Sequence, residues 1–87
     1  MEQDRIIIIM SPTEVLQKVF VFSKGQVVDQ VPVPTMEVSA VLNALIDKYN
    51  ITDVHFTGAQ AYSRKFGDQI QNDCITKYNK TITVSYS

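Results

Sequence analysis

The sequence predicts an α/β protein, at the border with the α+β class, built on a mixed five-stranded sheet. Three apolar, strand-like runs come first, followed by an amphipathic helix, a short strand, a second helix and a last strand. Helices that connect parallel strands of one sheet act as right-handed crossovers. The simplest sheet for this β-β-β-α-β-α-β order has the strand order 3-2-1-4-5, with the first strand in the middle and both helices on one face.

The first strand is predicted over residues 5–10, where consecutive isoleucines indicate burial on both faces of the sheet. Pro12 follows this run and cannot donate to a strand ladder. The second strand is predicted over residues 18–23 and the third over residues 26–33. Pro32 favours an edge position for the third strand, because proline is tolerated where the missing N–H would face solvent.

The first helix is predicted to begin at Thr35, as its N-cap, and to end near Asn50. Its apolar residues recur at the spacing of one buried helix face, at Val38, Val41, Leu42, Leu45, Ile46 and Tyr49. The fourth strand is predicted over residues 53–57.

The second helix is predicted over residues 59–74, with an apolar stripe at Tyr62, Phe66, Ile70 and Cys74. Gly67 in this helix predicts either a close contact or a break, since glycine weakens a helix by about 1 kcal/mol relative to alanine. The last strand is predicted over residues 81–87, where β-branched residues alternate with polar ones.

Composition narrows the class of protein. The chain has 87 residues, which predicts a single domain over residues 1–87. Eight basic and nine acidic residues leave a net charge of −1, which does not favour binding to nucleic acid. The single cysteine allows neither a disulfide framework nor a cysteine-rich metal site. No apolar run approaches the length of a membrane span, and we expect a cytoplasmic protein.

Two segments carry a resemblance to a known fold. Residues 6–13, IIIIMSPT, are similar to the first strand of the ribonuclease H-like fold, and residues 54–58, VHFTG, are similar to its fourth strand. Together with the order of elements, they make nearly the whole chain resemble the first five strands and two helices of that fold. The resemblance implies a truncated member of the fold shared by nucleases, Holliday-junction resolvases and actin-like ATPases.

The chain departs from that family at its catalytic acids. The nucleases carry an Asp in strand one and another acid near the end of strand four, where Met10 and Thr57 or Gly58 stand here. A thioether cannot replace a carboxylate as a ligand for Mg²⁺, which requires oxygen. We therefore expect no catalytic residue, no metal and no cofactor. Small, acid-depleted domains of this kind resemble bacteriophage accessory or inhibitor proteins, which would work in the host cytoplasm.

The predicted topology leaves one face of the sheet uncovered. Because side chains alternate along a strand, the central isoleucines and the second strand must project apolar residues on this face as well. The predicted interface residues are Ile7, Ile9, Val19 and Val21. Exposed apolar patches mark interaction sites, so we expect a non-enzymatic protein that self-associates or binds a protein partner.

An alternative hypothesis is a nucleotide- or nucleic-acid-binding module. The carboxyl ends of parallel strands one and four, with the start of the second helix, would form an anion-binding crevice. Its predicted ligand-binding residues are Ser11, Thr13, Thr57, Gly58 and Gln60. The simpler interpretation, which we favour, is that these residues form an ordinary turn and loop. A metal-dependent nuclease with unusual ligands is a more remote third hypothesis.

The remaining reactive residue types favour structural roles. His55 stands alone in a short strand, and Cys74 lies on the apolar stripe of the second helix, as small buried cysteines do. Arg64 and Lys65 lie beside aromatic residues and could bind nucleic acid or an acidic partner. Such a stretch is more often the solvated face of a helix next to its buried face.

Overall fold

The computed structural model describes residues 4–87, apart from the side chains of Gln60 and Ala61. Within this range the elements follow the predicted order, with a short 3₁₀ helix (Thr35–Glu37) ahead of the first α-helix. They are β1 (Arg5–Ile9), β2 (Leu16–Ser23), β3 (Gln26–Pro34), α1 (Val38–Tyr49), β4 (Asp53–Thr57), α2 (Gln60–Tyr78) and β5 (Thr83–Tyr86).

The strands form one mixed sheet in the order β3-β2-β1-β4-β5, which confirms the predicted topology. β1 is antiparallel to β2 and parallel to β4. β2 is antiparallel to β3, and β4 is parallel to β5. α1 connects β3 to β4 and α2 connects β4 to β5, and the fold is of the α+β class.

The hydrophobic core lies on one face of the sheet, beneath both helices. Ile6 and Ile8 of β1 are fully buried there. α1 packs beside α2 and reaches β3, while α2 packs on β4 and β5. The helical contribution comes from the predicted stripes, with buried side chains at Val38, Leu42, Leu45, Ile46, Ile70 and Cys74. Alternation along β1 then leaves Ile7 and Ile9 on the opposite face.

Polar contacts align the two helices. The Ser39 hydroxyl donates to Gln69 Oε1 at 3.1 Å, and one turn later Asn43 Nδ2 donates to Asp73 Oδ2 at 3.1 Å. Since both pairs are separated by the same number of residues, α1 and α2 run parallel to each other. Asn43 is buried, and this bond satisfies an amide group that would otherwise be costly inside the protein.

α2 is continuous through Gly67 and runs four residues beyond the predicted end, to Tyr78. A Cβ at residue 67 would overlap with the Tyr86 hydroxyl and would lie 3.1 Å from Cγ1 of Val84. The glycine therefore marks a close contact between α2 and β5, which was one of the two predicted alternatives. Asn79 ends the helix in the left-handed conformation at φ 51°.

The predicted N-cap role of Thr35 is wrong. Thr35 lies in the 3₁₀ helix, and its side chain makes no capping bond. Its hydroxyl instead accepts a bond from Gln17 Nε2 at 2.9 Å and donates to the Val15 carbonyl at 3.2 Å. These bonds tie Thr35 to Val15 and Gln17, and α1 begins at Val38. The predicted end of this helix is confirmed, since Asn50 adopts the left-handed conformation at φ 54°.

Candidate functional site

The face of the sheet opposite the helices is the main candidate surface, and we call it the uncovered face. In the register of the sheet, Ile7 lies between Phe20 of β2 and His55 of β4. Ile9 lies between Lys18 and Thr57 in the next row. The uncovered face consists of Arg5, Ile7, Ile9, Leu16, Lys18, Phe20, Phe22, Val27, Gln30, Pro32, Pro34, Asp53, His55, Thr57, Thr83 and Ser85.

The half of the uncovered face that belongs to β1 and β2 is mainly apolar, and Arg5 and Lys18 are its charged residues. Ile9 is 41% exposed and Leu16 is 51% exposed, while Ile7 and Phe20 are half-buried by their neighbours. The other half, on β4 and β5, carries hydroxyl, imidazole and carboxylate groups. The face is thus divided into an apolar half and a polar half.

The predicted interface residues Val19 and Val21 do not lie on this face. Both are fully buried in the core beneath the helices. The antiparallel register places Val19 opposite Ile8 and Val21 opposite Ile6, so the outward positions of β2 belong to Phe20 and Lys18. Ile7 and Ile9 lie on the uncovered face as expected. The error on β2 is a shift of one residue, which exchanges the two faces of a strand.

His55 is held in the polar half by two serine hydroxyls. Its Nδ1 lies 2.7 Å from Ser85 Oγ, and its Nε2 lies 2.9 Å from Ser87 Oγ. In a neutral imidazole one nitrogen donates and the other accepts, so the two hydroxyls satisfy both ring nitrogens. The two bonds fix the orientation of the ring on the sheet face, which agrees with the structural role predicted for His55.

The predicted crevice between the ends of β1 and β4 is filled by backbone. The Met10 N–H donates to the Thr57 carbonyl at 2.8 Å. At Gly58, with φ 92°, any Cβ would overlap with the Met10 carbonyl oxygen. The chain can pass here only because residue 58 is a glycine. Thr57 and Gly58 therefore adjoin Met10 directly, without a gap between the strands at this point.

The other predicted crevice residues fall into two groups. Ser11 and Thr13 form their own hydroxyl pair at 3.1 Å, in the loop that leads from β1 to β2. The side chain of Gln60 lies outside the described part of the chain. The structure thus brings Ser11 together with Thr13, and Thr57 together with Gly58. The hydroxyls of Ser11 and Thr13 bond to each other inside the loop between β1 and β2.

A residue that the sequence analysis missed, Gln17, organises that loop. Its side chain is 1% exposed. The Ser11 N–H donates to Gln17 Oε1 at 2.7 Å, and Gln17 Nε2 donates to the carbonyls of Ser11 and Glu14 at 2.9 and 3.1 Å. Gln17 precedes Val19 and Val21 at a spacing of two residues, so strand alternation places it on the same buried face. A polar residue at a buried position was the sequence signal that Gln17 holds the loop.

A hollow of about 330 Å³ lies beside this loop at the corner of the uncovered face. Apolar and charged groups share its lining, which consists of Ile9, Ser11, Glu14, Leu16, Gln17 and Lys18. Glu14 and Lys18 introduce opposite charges, so the hollow does not select for an anion alone. It extends the apolar half of the uncovered face around Ile9.

The aromatic and basic residues of α2 pack on each other and on the sheet. Tyr62 and Phe66 meet edge to face with their centroids 5.4 Å apart. The Arg64 guanidinium carbon lies 4.7 Å from the centre of the Tyr86 ring. Burial, and then the negative charge of Asp68, raise the pKa of Tyr86 above its ordinary value of 10.0. This segment is therefore built into the fold by aromatic contacts.

Cys74 is fully buried, and burial raises the pKa of its thiol above the ordinary value of 9.0. A thiol with a raised pKa is a poor nucleophile at neutral pH. Among the side chains that the structure describes, His, Cys, Asp and Glu nowhere form a group of three placed to hold a metal ion.

These features define a mixed-sheet α+β protein with one helix-covered face and one uncovered face. The chain matches no model of a known protein family and no curated protein. Within residues 4–87, no helix is long and apolar enough to span a membrane.

Proposed function

We propose that this protein acts without catalysis, by contact with other protein chains through its uncovered face, and that it self-associates. The observation that carries the proposal is the exposure of Ile9 and Leu16, at 41% and 51%, on a sheet face that neither α1 nor α2 covers. Partly exposed Ile7 and Phe20 join them into one apolar surface. Contiguous surfaces of this kind on small proteins mark sites of interaction.

The size of the uncovered face suits a protein partner. Five strands of this length, at about 3.3 Å per residue and about 4.8 Å apart, present roughly 500 Å² in projection. A standard protein interface takes about 800 Å² of accessible surface from each partner, which is of the same order. The apolar centre at Ile7 and Phe20 has Arg5 at its border and Lys18 beside Ile9, and a mixture of apolar and charged groups of this kind is usual in an interface.

The non-catalytic part of the proposal rests on the chemistry at the ends of β1 and β4. Met10 follows β1, and Thr57 and Gly58 stand at the end of β4, at the positions where ribonuclease H-like nucleases carry carboxylates. We infer a degenerate ribonuclease H-like domain, of the kind found among phage accessory and inhibitor proteins and acting in the cytoplasm of the host. The mixed sheet with order β3-β2-β1-β4-β5 supports this inference.

Light scattering coupled to size-exclusion chromatography tests self-association, and a dye that binds apolar surfaces tests the uncovered face. We expect an oligomer for the wild-type protein and dye binding that falls strongly in Ile9→Lys. Met36→Lys is the matched control, because Met36 is 99% exposed and lies outside the uncovered face. A monomer that binds no dye contradicts both parts of the proposal.

Affinity capture with the same variants tests contact with a partner. We expect one protein, captured in stoichiometric amounts by the wild type and by Met36→Lys but lost with Ile9→Lys. Thermal stabilisation by nucleotides or oligonucleotides in place of capture would instead favour the binding-module hypothesis. Cleavage of nucleic acid that depends on Mg²⁺ or Mn²⁺ would overturn the non-catalytic proposal.

A further inference from the structure

The two edges of the sheet differ in their capacity to accept another strand. The β3 edge contains Pro32 and Pro34, and its pairing with β2 is interrupted by a register shift between Val21 and Phe22. Prolines and bulges are the devices that protect edge strands from pairing. The β5 edge, Thr83–Tyr86, has neither of these devices, and its sequence TVSY has high β-propensity.

The free backbone groups of β5 belong to Val84 and Tyr86. In the parallel pairing with β4, the Thr83 N–H donates to the Thr52 carbonyl at 2.9 Å, and the Ser87 N–H donates to the Phe56 carbonyl at 3.0 Å. Because bonding residues alternate along a strand, the N–H and C=O groups of the even-numbered residues point away from β4. Among residues 4–87, β5 is the last strand of the sheet, so these groups face an edge without a further strand.

We propose that a second copy of this chain pairs with β5, antiparallel, across a two-fold axis at Ser85. Val84 of each copy then lies opposite Tyr86 of the other, and each such pair exchanges two N–H···O=C bonds. The outward groups of β5 are thus complementary to themselves. The proposal rests on the self-association in the proposed function and names the surface that performs it. A two-fold contact of this type closes at a dimer.

The position of α2 fits the same axis. α2 packs on both β4 and β5, so its axis runs above the space between these strands. With strands about 4.8 Å apart, the two-fold axis places the second copy of α2 about 10 Å away, which is the usual distance between packed helices. Gly67 contacts both Val84 and Tyr86, so the two helices cross near Gly67, level with Ser85.

One stripe of α2 faces this edge. Arg64 lies over the Tyr86 ring, and Gln71 Nε2 donates to the Ile82 carbonyl at 3.3 Å. Helical spacing places Asp68 between them and Ile75 beyond them. Ile75 is 53% exposed, although it continues a stripe that contacts the sheet. With the two helices crossing near Gly67, Ile75 lies level with the start of the second copy of α2.

The charges on the stripe are complementary under the two-fold axis. Arg64 and Asp68 lie on either side of Gly67, so Arg64 of one copy falls within one helical turn of Asp68 of the other. The axis repeats this contact, giving two pairs of opposite charge. On the uncovered face, the two copies of Ser85 meet directly, and the two uncovered faces join into one continuous surface.

Amide exchange measured by NMR tests the pairing residue by residue. We expect exchange at Val84 and Tyr86 to slow by at least about tenfold as protein concentration rises, because dimerisation converts free amides into bonded ones. The Ser85 amide, which points toward β4, serves as the internal control and should be insensitive to concentration. Concentration-independent exchange at Val84 and Tyr86 in a protein that dimerises overturns the proposal.

Charge variants test the interface by sedimentation equilibrium. Ser85→Lys places two lysines opposite each other and should raise the dimer Kd by at least about 100-fold. Thr57→Lys is the control, since it adds the same charge to the same face on β4. Arg64→Glu should weaken the dimer about tenfold, and the double variant Arg64→Glu with Asp68→Arg should restore it.

The outcomes separate this proposal from the proposed function. If Ile9→Lys dissociates the dimer and Ser85→Lys does not, the protein self-associates through another surface, and the proposed β5 pairing is overturned. A monomer at every concentration overturns both. If the Val84 and Tyr86 amides instead exchange slowly only when a different protein is added, the β5 edge pairs with a strand of that other protein. That result would overturn the proposal that a second copy of this chain binds there.

Discussion

Gly67 of α2 lies directly against Tyr86 of β5. A Cβ at residue 67 would overlap with the tyrosine hydroxyl and would lie 2.9 Å from Cζ of the ring. The Arg64 guanidinium covers the same ring at 4.7 Å. Tyr86 itself stacks on Phe56, with 5.7 Å between the ring centroids. The glycine therefore sets how closely the second helix approaches the sheet.

The variant Gly67→Ala should destabilise the protein, although alanine favours the helix by about 1 kcal/mol. The added methyl group must displace the Tyr86 ring, and overpacking of this kind costs about 1–3 kcal/mol. We expect a net loss of about 1–2 kcal/mol in the free energy of unfolding, measured in urea. Lys65→Ala, at an exposed position of the same helix, is the control. A Tyr86→Phe background should reduce the loss, and a stabilised Gly67→Ala protein contradicts the proposed contact.

Neighbouring isoleucines of β1 should differ sharply in their contributions to stability. Ile8 is fully buried beneath the helices, whereas Ile9 is 41% exposed on the uncovered face. We expect Ile8→Ala to cost about 2–5 kcal/mol in the free energy of unfolding, through lost burial and the cavity left behind. Ile9→Ala should cost less than about 1 kcal/mol in the monomer. Equal losses of unfolding free energy from the two substitutions would show that both faces of β1 are buried.

Replacing Gln17 should loosen the connection between β1 and β2. In Gln17→Leu, the Ser11 N–H loses its acceptor, and the Thr35 hydroxyl loses the 2.9 Å bond from Nε2. Buried polar groups left without partners cost about 1–3 kcal/mol each, so we expect a loss of about 2–4 kcal/mol in thermal or urea unfolding. Gln30→Leu, at an exposed position of β3, is the matched control. A loss no larger than that of the control would exclude this organising role.

Stability should fall at alkaline pH because of Cys74. Burial of the thiol, with a smaller contribution from Asp73, raises its pKa above 9.0, while Lys80 acts in the opposite direction. The folded state then holds this proton more tightly than the unfolded state. The resulting stability is complete below pH 9.0 and is lost as the pH rises through the raised pKa.

Urea unfolding of the wild type and of Cys74→Ala across this range measures the effect. The wild type should lose up to about 1.4 kcal/mol per pH unit more than the variant. The variant controls for Tyr86, whose pKa is also raised. Parallel pH profiles for the two proteins would show that Cys74 ionises equally easily in the folded and unfolded states.

Sequence patterns were enough to predict the order of elements, the strand order of the sheet and the helix faces that form the core. These properties follow from local periodicity, because the apolar spacing of residues 38–49 fits a helix and the run of residues 6–9 fits a central strand. The sequence did not predict the start of α1 correctly. Thr35 resembled an N-cap until the competing bonds from Gln17 and to Val15 were visible.

Which side chains share a surface depends on how the strands pair. The faces of β2 depend on its register with β1, which places Phe20 beside Ile7 and leaves Val19 in the core. The crevice expected at Gly58 is closed because the Met10 carbonyl takes the space of a side chain. Strand pairing and backbone contacts of this kind join residues far apart in the chain, and no local pattern encodes their register.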